Sequence, residues 1–187
     1  MLFSPGWRAP VRQDQVLAVF SAGLLLGGTL TATVLWLLSG LTEPLPGVAR
    51  TGLIIAVAVL GVAREAGWVR IPMPQNARQI PQEVLRARIR RGALRFGFEL
   101  GTGVRTYVSA SAPYVVALGL LLAHQGPVPT ILTGTGFGIG RAATAATRYA
   151  SRHDEWDDRR VTRMPLLKNA IALTVLVALV LLAVHGR

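Results

Sequence analysis

The uncharged stretch "VLAVFSAGLLLGGTLTATVLWLLSGL", which runs from Val16 to Leu41, decides the class of this protein. An α-helix rises 1.5 Å per residue, so about 20 apolar residues cross the hydrocarbon core of a bilayer. The stretch is longer than the apolar core of a signal peptide, and no clear small-x-small cleavage site lies nearby. We therefore predict that it forms a first transmembrane helix that is not cleaved.

Four more apolar segments meet the same length criterion. They cover residues 47–69, 92–123, 128–149 and 166–184. Of the 187 residues 51% are hydrophobic, and the mean hydropathy of +0.45 is far above that of a soluble domain. The sequence thus predicts an all-α fold, a polytopic transmembrane helical bundle of five spans that forms a single integral membrane domain over residues 1–187.

The charges orient this bundle. The formal net charge is +11, and arginines concentrate in the connections 70–91 and 150–165. The positive-inside rule places both connections in the cytoplasm of a plasma membrane, with the N-terminus inside and the C-terminus outside. Neither an aromatic-rich basic sheet nor a zinc pattern accompanies the charge, so we do not predict nucleic-acid binding.

Part of the first connection has helical composition. Four arginines follow Pro81 on a short segment next to the third span: Arg86, Arg88, Arg90 and Arg91. Such a segment is typical of an interfacial helix held by anionic lipid. A solvated loop that only sets topology and a docking surface for a partner are the alternatives.

The third span opens with "FGFELGTGVRTY", residues 96–107, which carries Glu99 and Arg105. On a helix, Gly97, Gly101, Arg105 and Ser109 recur every four residues and share one face, which Thr102 and Thr106 border. Glycines at this spacing allow a neighbouring backbone to approach closely. We predict that Gly97 and Gly101 pack against another helix.

Arg105 lies roughly 15 Å inside this span, where a charge costs about 2.5 to 3.5 kcal/mol even on the lenient scale. Glu99 can pair with Arg95 one turn earlier but faces away from Arg105. Arg105 therefore needs a partner on another helix, such as Glu65, or a bound anion. The intramembrane arginines outnumber the acids by one, which favours a site for an anionic group. The candidate ligand-binding residues are Arg64, Glu99, Thr102, Arg105, Thr106, Ser109 and Arg141. An ion-pair cluster that fixes helix register is the alternative.

The fourth span contains four glycines in alternating positions, from Gly134 to Gly140. Their spacing fits neither G-x-G-x-x-G nor the Walker pattern, and no strand or lysine accompanies them. Gly136 and Gly140 lie one helical turn apart. We predict that these two glycines serve close helix packing, and a local unwinding that exposes carbonyls is the alternative.

Two pairs of segments are similar to each other. "LLGGTLTATV" (25–34) matches "ELGTGVRTYV" (99–108), and "LGVAREA" (60–66) matches "FGIGRAA" (137–143). Arg64 then corresponds to Arg141, and Gly61 to Gly138. The matches indicate a parallel duplication of a helical hairpin, although glycine-rich apolar sequence also produces such matches by chance.

Several kinds of chemistry find no support. The chain has no cysteine, which excludes disulfides, thiolate metal sites and thiol nucleophiles. The acidic stretch "RHDEWDDRR" (152–160) has no recognised metal-ligand spacing. No nucleophile, base and orienter occur together. We therefore predict no metal site and no cofactor. An enzyme that uses the arginines to hold phosphates is a third hypothesis, for which no general base is evident.

The segment "RQIPQEVLRARIRRGALRFGFELGTGVRTYVSASAPY" (78–114), followed by "GFGIGRA" (136–142), resembles membrane proteins related to the CcdA and DsbD thiol-electron carriers. The likeness covers about a third of the chain. Those families work through membrane cysteines, which this chain lacks, so none of their redox residues carries over. The resemblance implies a shared helical scaffold with a different task.

These features together predict a small transport-like or transport-accessory protein with an intramembrane arginine site for an anionic or amphipathic molecule. The alternative is a non-transporting scaffold, immunity or regulatory subunit that docks a partner on the basic connection. The expected partners are membrane lipids and a second copy of the chain or another membrane protein.

Overall fold

The computed structural model of this chain describes residues 13–71, 89–103, 111–151 and 166–180. These residues form six α-helices, one short 3-10 turn and no strand, which confirms the all-α prediction. The helices are α1 (Gln13–Ser39), α2 (Gly47–Glu65), α3 (Ile89–Thr102), α4 (Ala112–Ala123), α5 (Pro127–Ser151) and α6 (Leu166–Val180), and the 3-10 turn is Gly40–Thr42.

Two helical stretches in the described residues are long and apolar enough to cross a membrane. They are Gln13–Thr42, which combines α1 with the 3-10 turn, and α2. The helices α4 and α6 are apolar but shorter. Length and composition therefore support membrane association through two helices, and the full set of five spans stays a prediction.

The predicted third span, residues 92–123, is two helices rather than one. The first, α3, ends at Thr102, and the next residue, Gly103, has φ of +69°. This left-handed conformation ends a helix and is accessible to glycine because glycine has no Cβ. The second, α4, begins at Ala112 and has Pro113 in its first turn, where a proline starts a helix instead of kinking one.

The odd-numbered helices pack together. In this odd-helix unit α1 lies between α3 and α5 and contacts both extensively. Gln15 of α1 contacts Arg90, and Leu24 approaches Gly101, so α3 runs parallel to α1. Since Leu24 also approaches Gly138 and Gly28 approaches Gly134, α5 runs antiparallel to α1.

Glycines allow the backbones of the odd-helix unit to touch. A Cβ on Gly27 would lie 2.8 Å from the Thr102 nitrogen of α3. On α3, a Cβ on Gly97 or Gly101 would collide with the Phe20 or Leu24 carbonyl oxygen of α1. Any side chain at these positions would therefore force the helices apart.

The even-numbered helices form a second unit around a separate apolar cluster, which consists of Ile54, Ala58, Val115 and Leu179. This even-helix unit brings α2 and α6 onto α4. Its close approaches are to side chains: a Cβ on Gly61 would lie 2.6 Å from Val115 Cγ2, and one on Gly119 would lie 2.6 Å from Leu179 Cδ2. The structure gives no support to the predicted duplication, since Gly61 meets a side chain whereas its counterpart Gly138 meets the α1 backbone.

The outer surface of the described helices is strongly apolar. Exposed large apolar side chains occur on every one of these helices. On the largely polar α3 the example is Leu94, and on other helices they include Leu26, Val48, Leu132 and Leu166 at 58%, 78%, 65% and 71% exposure. Water disfavours an apolar surface of this extent, and lipid tails accept it.

Candidate binding site at the interrupted third span

The C-terminal end of α3 lies inside the bundle, beside the middle of the Gln13–Thr42 stretch. Thr31 Oγ1 donates a hydrogen bond to the Thr102 carbonyl oxygen at 3.4 Å, and Thr102 Oγ1 donates to the Glu99 carbonyl oxygen at 2.9 Å. A helix end leaves four carbonyl groups without intrahelical partners, and hydrocarbon offers none. Threonine hydroxyls from α1 and α3 donate some of the hydrogen bonds that water would donate to such carbonyl groups elsewhere.

Arg141 of α5 caps the same end of α3. Its Nη1 donates a hydrogen bond to the Leu100 carbonyl oxygen at 2.7 Å, and its guanidinium carbon lies 5.4 Å from the centre of the Phe137 ring. The negative end of the α3 dipole and the face of the ring both favour a cation at this place. The side chain is half-buried.

The charge of Arg141 is not balanced by an acid in the parts of the chain that the structure describes. The described ion pairs join Arg64 to Glu65 and Arg95 to Glu99. A single carbonyl and an aromatic ring carry partial charges only, and a guanidinium has five N–H donors. The site therefore has both charge and donors to offer an anionic group.

The N-terminal end of α4, on the other side of the interruption, is held by an acid. Glu65 Oε1 accepts a hydrogen bond from the Ser111 backbone N–H at 2.6 Å, and Ser111 Oγ donates to the Gly61 carbonyl oxygen at 3.2 Å. A carboxylate at a helix N-terminus is favoured by the helix dipole. These two bonds fasten the start of α4 to the end of α2.

Glu65 is also paired with its neighbour in the chain. Arg64 Nη1 lies 3.1 Å from Glu65 Oε1, and Arg64 Nε donates to the Ile71 carbonyl oxygen at 3.2 Å. The Glu65 side chain is 4% exposed, whereas that of Arg64 is 23% exposed. Arg64, a predicted ligand-binding residue, thus serves a local ion pair at the end of α2.

Glu99 has the local partner that the four-residue spacing predicts. Arg95 Nε lies 3.0 Å from Glu99 Oε1, with the Arg95 side chain 65% exposed. The pair lies on α3, one turn before Thr102. Thr102 itself contacts α1 and its own helix through the two bonds described above.

The remaining predicted binding residues divide into two groups. Arg90 and Arg91 are exposed at the start of α3, and Arg90 Nη2 donates to Gln15 Oε1 at 2.6 Å. The others lie outside the described residues: Arg86, Arg88, Arg105, Thr106 and Ser109, together with the acidic stretch 152–160. The structure consequently brings Thr102 and Arg141 to one helix end and leaves the position of Arg105 as a prediction.

The glycines of α5 that pack against a described helix are not the predicted Gly136 and Gly140. Among the residues that the structure describes, no atom outside their own helix lies within 4 Å of a Cβ built on either residue, so no described helix packs on them. Gly134 and Gly138 contact α1 instead, and Thr135 Oγ1 lies 3.1 Å from Thr29 Oγ1. Gly134 and Gly138 have the same four-residue spacing as Gly136 and Gly140. The rotation of α5 about its axis determines which of the two pairs faces α1.

Sequence reasoning missed the role of Ser111 and gave Glu65 only as a partner for Arg105. Their contact joins residues 46 positions apart in the chain. The dipeptide Ser111–Ala112 before Pro113 could have located the start of α4, because serine followed by an early proline is typical of a helix start, but it gives no sign of the partner on α2.

Comparison with known proteins identifies no relative of this chain. No family model, curated protein or solved structure matches this chain. The resemblance to the CcdA and DsbD carriers stays a prediction.

Proposed function

We propose that this chain is a five-span protein of the cytoplasmic membrane, with its N-terminus inside and its C-terminus outside, that accommodates an anionic or amphipathic molecule at an intramembrane arginine site. A transport or transport-accessory role fits such a site. In this arrangement α3 and α4 together make the third span, which is interrupted at Gly103.

The observation that carries the proposal is the position of Arg141. Its guanidinium lies half-buried at a helix end within an apolar bundle, and no carboxylate in the described residues pairs with it. A charged group at membrane depth normally faces a partner or a wet cavity and marks a functional site. Discontinuous helices with charged or polar ends are the usual substrate sites of transporters.

Arg105 enters the proposal as the second cation, because it follows Gly103 by two positions in the chain. Thr102, Thr106 and Ser109 would contribute hydroxyl groups. Glu99 and Arg64 would act through their ion pairs and not on the ligand. At the membrane surface, Arg86, Arg88, Arg90 and Arg91 would bind anionic headgroups.

The binding site is tested by what stays bound after extraction. The protein is purified in a mild detergent, and retained lipids and small anions are identified by mass spectrometry. We expect Arg141→Met and Arg105→Ala to lose an anionic molecule that the wild type retains. A control in which Arg86, Arg88, Arg90 and Arg91 are changed to Gln should keep that molecule and lose only lipids held at the membrane surface. Loss in the control alone would favour the docking scaffold and contradict this proposal.

The five spans have a direct test because the chain has no cysteine of its own. Single cysteines are introduced at Glu43, Asn76, Gln125, Trp156 and His185 and labelled in intact cells with a membrane-impermeant maleimide. We expect labelling of the Glu43, Gln125 and His185 positions and protection of the other two until the membrane is opened. Labelling of the Asn76 position in intact cells would contradict the topology.

A further inference from the structure

We infer that the anionic molecule at Arg141 is a membrane phospholipid, which enters from the bilayer through a cleft between α3 and α5. The inference rests on the proposed function and names the substrate class of the same site. Four features carry it: the packing of the two helices on α1, the apolar walls around Arg141, the donors of its guanidinium and its depth.

The helices α3 and α5 lie side by side on α1 with a cleft between them. Both pack closely on α1, but their contact with each other is slight. Arg141 Nη1 reaches across the cleft from α5 to the Leu100 carbonyl oxygen of α3. On the same edge of α5, Thr144 is exposed and Phe137 is partly exposed. This edge is therefore accessible from outside the bundle, where lipid lies.

The walls of the cleft next to Arg141 are mainly apolar. Phe96 and Leu100 of α3, with Ala142 and Ala145 of α5, pack against the apolar cluster of α1, and Phe96 and Leu100 are partly exposed. A small water-soluble anion gains little from such walls. The glycerol carbons and acyl chains of a lipid can pack against them.

Arg141 supplies the charge and the donors that a phosphate needs. Its hydrogen bond to the Leu100 carbonyl oxygen uses one of the five N–H donors of the guanidinium, and its contact with the Phe137 ring uses none. Guanidinium groups bind phosphate oxygens through two parallel N–H donors. A lipid phosphate can therefore bind Arg141 while the end of α3 stays capped.

The depth of Arg141 suits a lipid headgroup. Gly138 faces Leu24 in the antiparallel pair of α5 and α1, so Arg141, three residues later, lies opposite Ser21. Ser21 is five residues, or roughly 8 Å, inside Val16, where the uncharged stretch begins. Bilayers thin locally around a charged side chain at such a depth, which brings lipid phosphates closer. A phospholipid of the nearer leaflet thus reaches Arg141 without crossing the hydrocarbon core.

The lipid and its headgroup are tested separately on the purified, delipidated protein. Native mass spectrometry measures the binding of dihexanoyl-phosphatidylglycerol and of glycerophosphoglycerol, which is the same headgroup without acyl chains. We expect the wild type to bind the lipid at least about tenfold more tightly, because burial of two methylene groups is enough for such a gain. Arg141→Met should weaken lipid binding at least about tenfold, as for a lost hydrogen bond to a charged group.

The route is tested on the edge of α5. Thr144→Trp places a bulky ring beside the cleft, and Ala143→Trp, at the neighbouring exposed position, directs the same ring away from it. We expect Thr144→Trp to weaken lipid binding at least about fivefold by steric overlap and to leave glycerophosphoglycerol binding unchanged. Ala143→Trp should change neither. If Thr144→Trp fails to fold, Thr144→Leu replaces it.

The outcomes separate the lipid from the site. Equal affinity of the wild type for the two probes would overturn the lipid inference and leave the proposed function standing. If Arg141→Met binds both probes as the wild type does, the proposed function and the inference both fail. Equal weakening by Thr144→Trp and Ala143→Trp, or no weakening by either, would overturn the route between α3 and α5.

Discussion

In the odd-helix unit a Cβ added to Gly97 or Gly101 would meet the α1 backbone, whereas in the even-helix unit a Cβ added to Gly61 or Gly119 would meet a side chain. Backbone atoms can move only if a whole helix moves, but a valine or leucine side chain can change its rotamer. The same residue type thus fixes helix spacing in one unit and leaves some adjustment in the other.

The two units also differ in the charge that each places at the interrupted third span. Arg141 caps the C-terminal end of α3, and Glu65 caps the N-terminal end of α4. Each charge has the sign that its helix dipole favours. Glu65 has a basic neighbour and Arg141 has no acidic one in the described residues, which is why we propose the α3 end as the place for an anionic ligand.

The largest effect is expected from Gly97→Ala. Its Cβ would collide with the Phe20 carbonyl oxygen, so α1 and α3 must separate. We expect the free energy of unfolding to fall by about 3 kcal/mol, at the upper end of overpacking costs. Gly136→Ala is the matched control. Because alanine has a better helix propensity than glycine, this substitution should raise the free energy of unfolding by at most about 1 kcal/mol. Unfolding in detergent followed by circular dichroism measures both, and equal losses would contradict backbone packing.

Removal of the Glu65 carboxylate should have the next largest effect. Glu65→Ala leaves Arg64 without its partner and the Ser111 N–H without an acceptor. We expect a loss of about 2 kcal/mol, below the range for fully buried pairs because Arg64 is partly exposed. Glu43→Ala removes an exposed carboxylate and should leave stability unchanged. A Glu65→Ala variant as stable as the wild type would show that α2 and α4 are not fastened there.

Arg141→Met should have a smaller effect on stability. The substitution keeps an unbranched apolar side chain and removes the hydrogen bond to Leu100. We expect a loss of about 1.5 kcal/mol, at the lower end for a hydrogen bond that involves a charged group. Arg91→Met, at an exposed position, is the control and should be neutral. A loss several times larger would mean that Arg141 is mainly structural, which would weaken the binding proposal.

The smallest effect is expected from Gly61→Ala. Its Cβ would approach Val115 Cγ2, which a small rotation moves away, and alanine favours the α2 helix. We expect the cost of this contact and the gain in helix propensity to cancel, so that the free energy of unfolding changes by less than about 0.5 kcal/mol. A loss as large as that of Gly97→Ala would remove the distinction between the two units.

How much the sequence could predict depended on the distance between interacting residues. Apolar length located α1 and α5 to within three residues at each end, and a four-residue spacing located the Arg95–Glu99 pair. The break after Thr102 was not predicted, because hydropathy continues through Gly103 and only its backbone conformation ends the helix. Which glycines of α5 touch α1 depends on the rotation of that helix, and the Glu65–Ser111 contact depends on the whole fold.

We propose that the interruption of the third span forms a hydrated site inside the membrane. Thr102 lies at this break next to Thr31, and Leu30 lies at the same depth on the exposed face of α1. In membranes, the rate at which a charged, impermeant sulfonate thiol reagent modifies Thr102→Cys is compared with the rate for Leu30→Cys. We predict that the cysteine at 102 reacts at least about ten times faster, because thiol modification by a charged reagent needs water. Equal, negligible rates at both positions would contradict a hydrated site at this break.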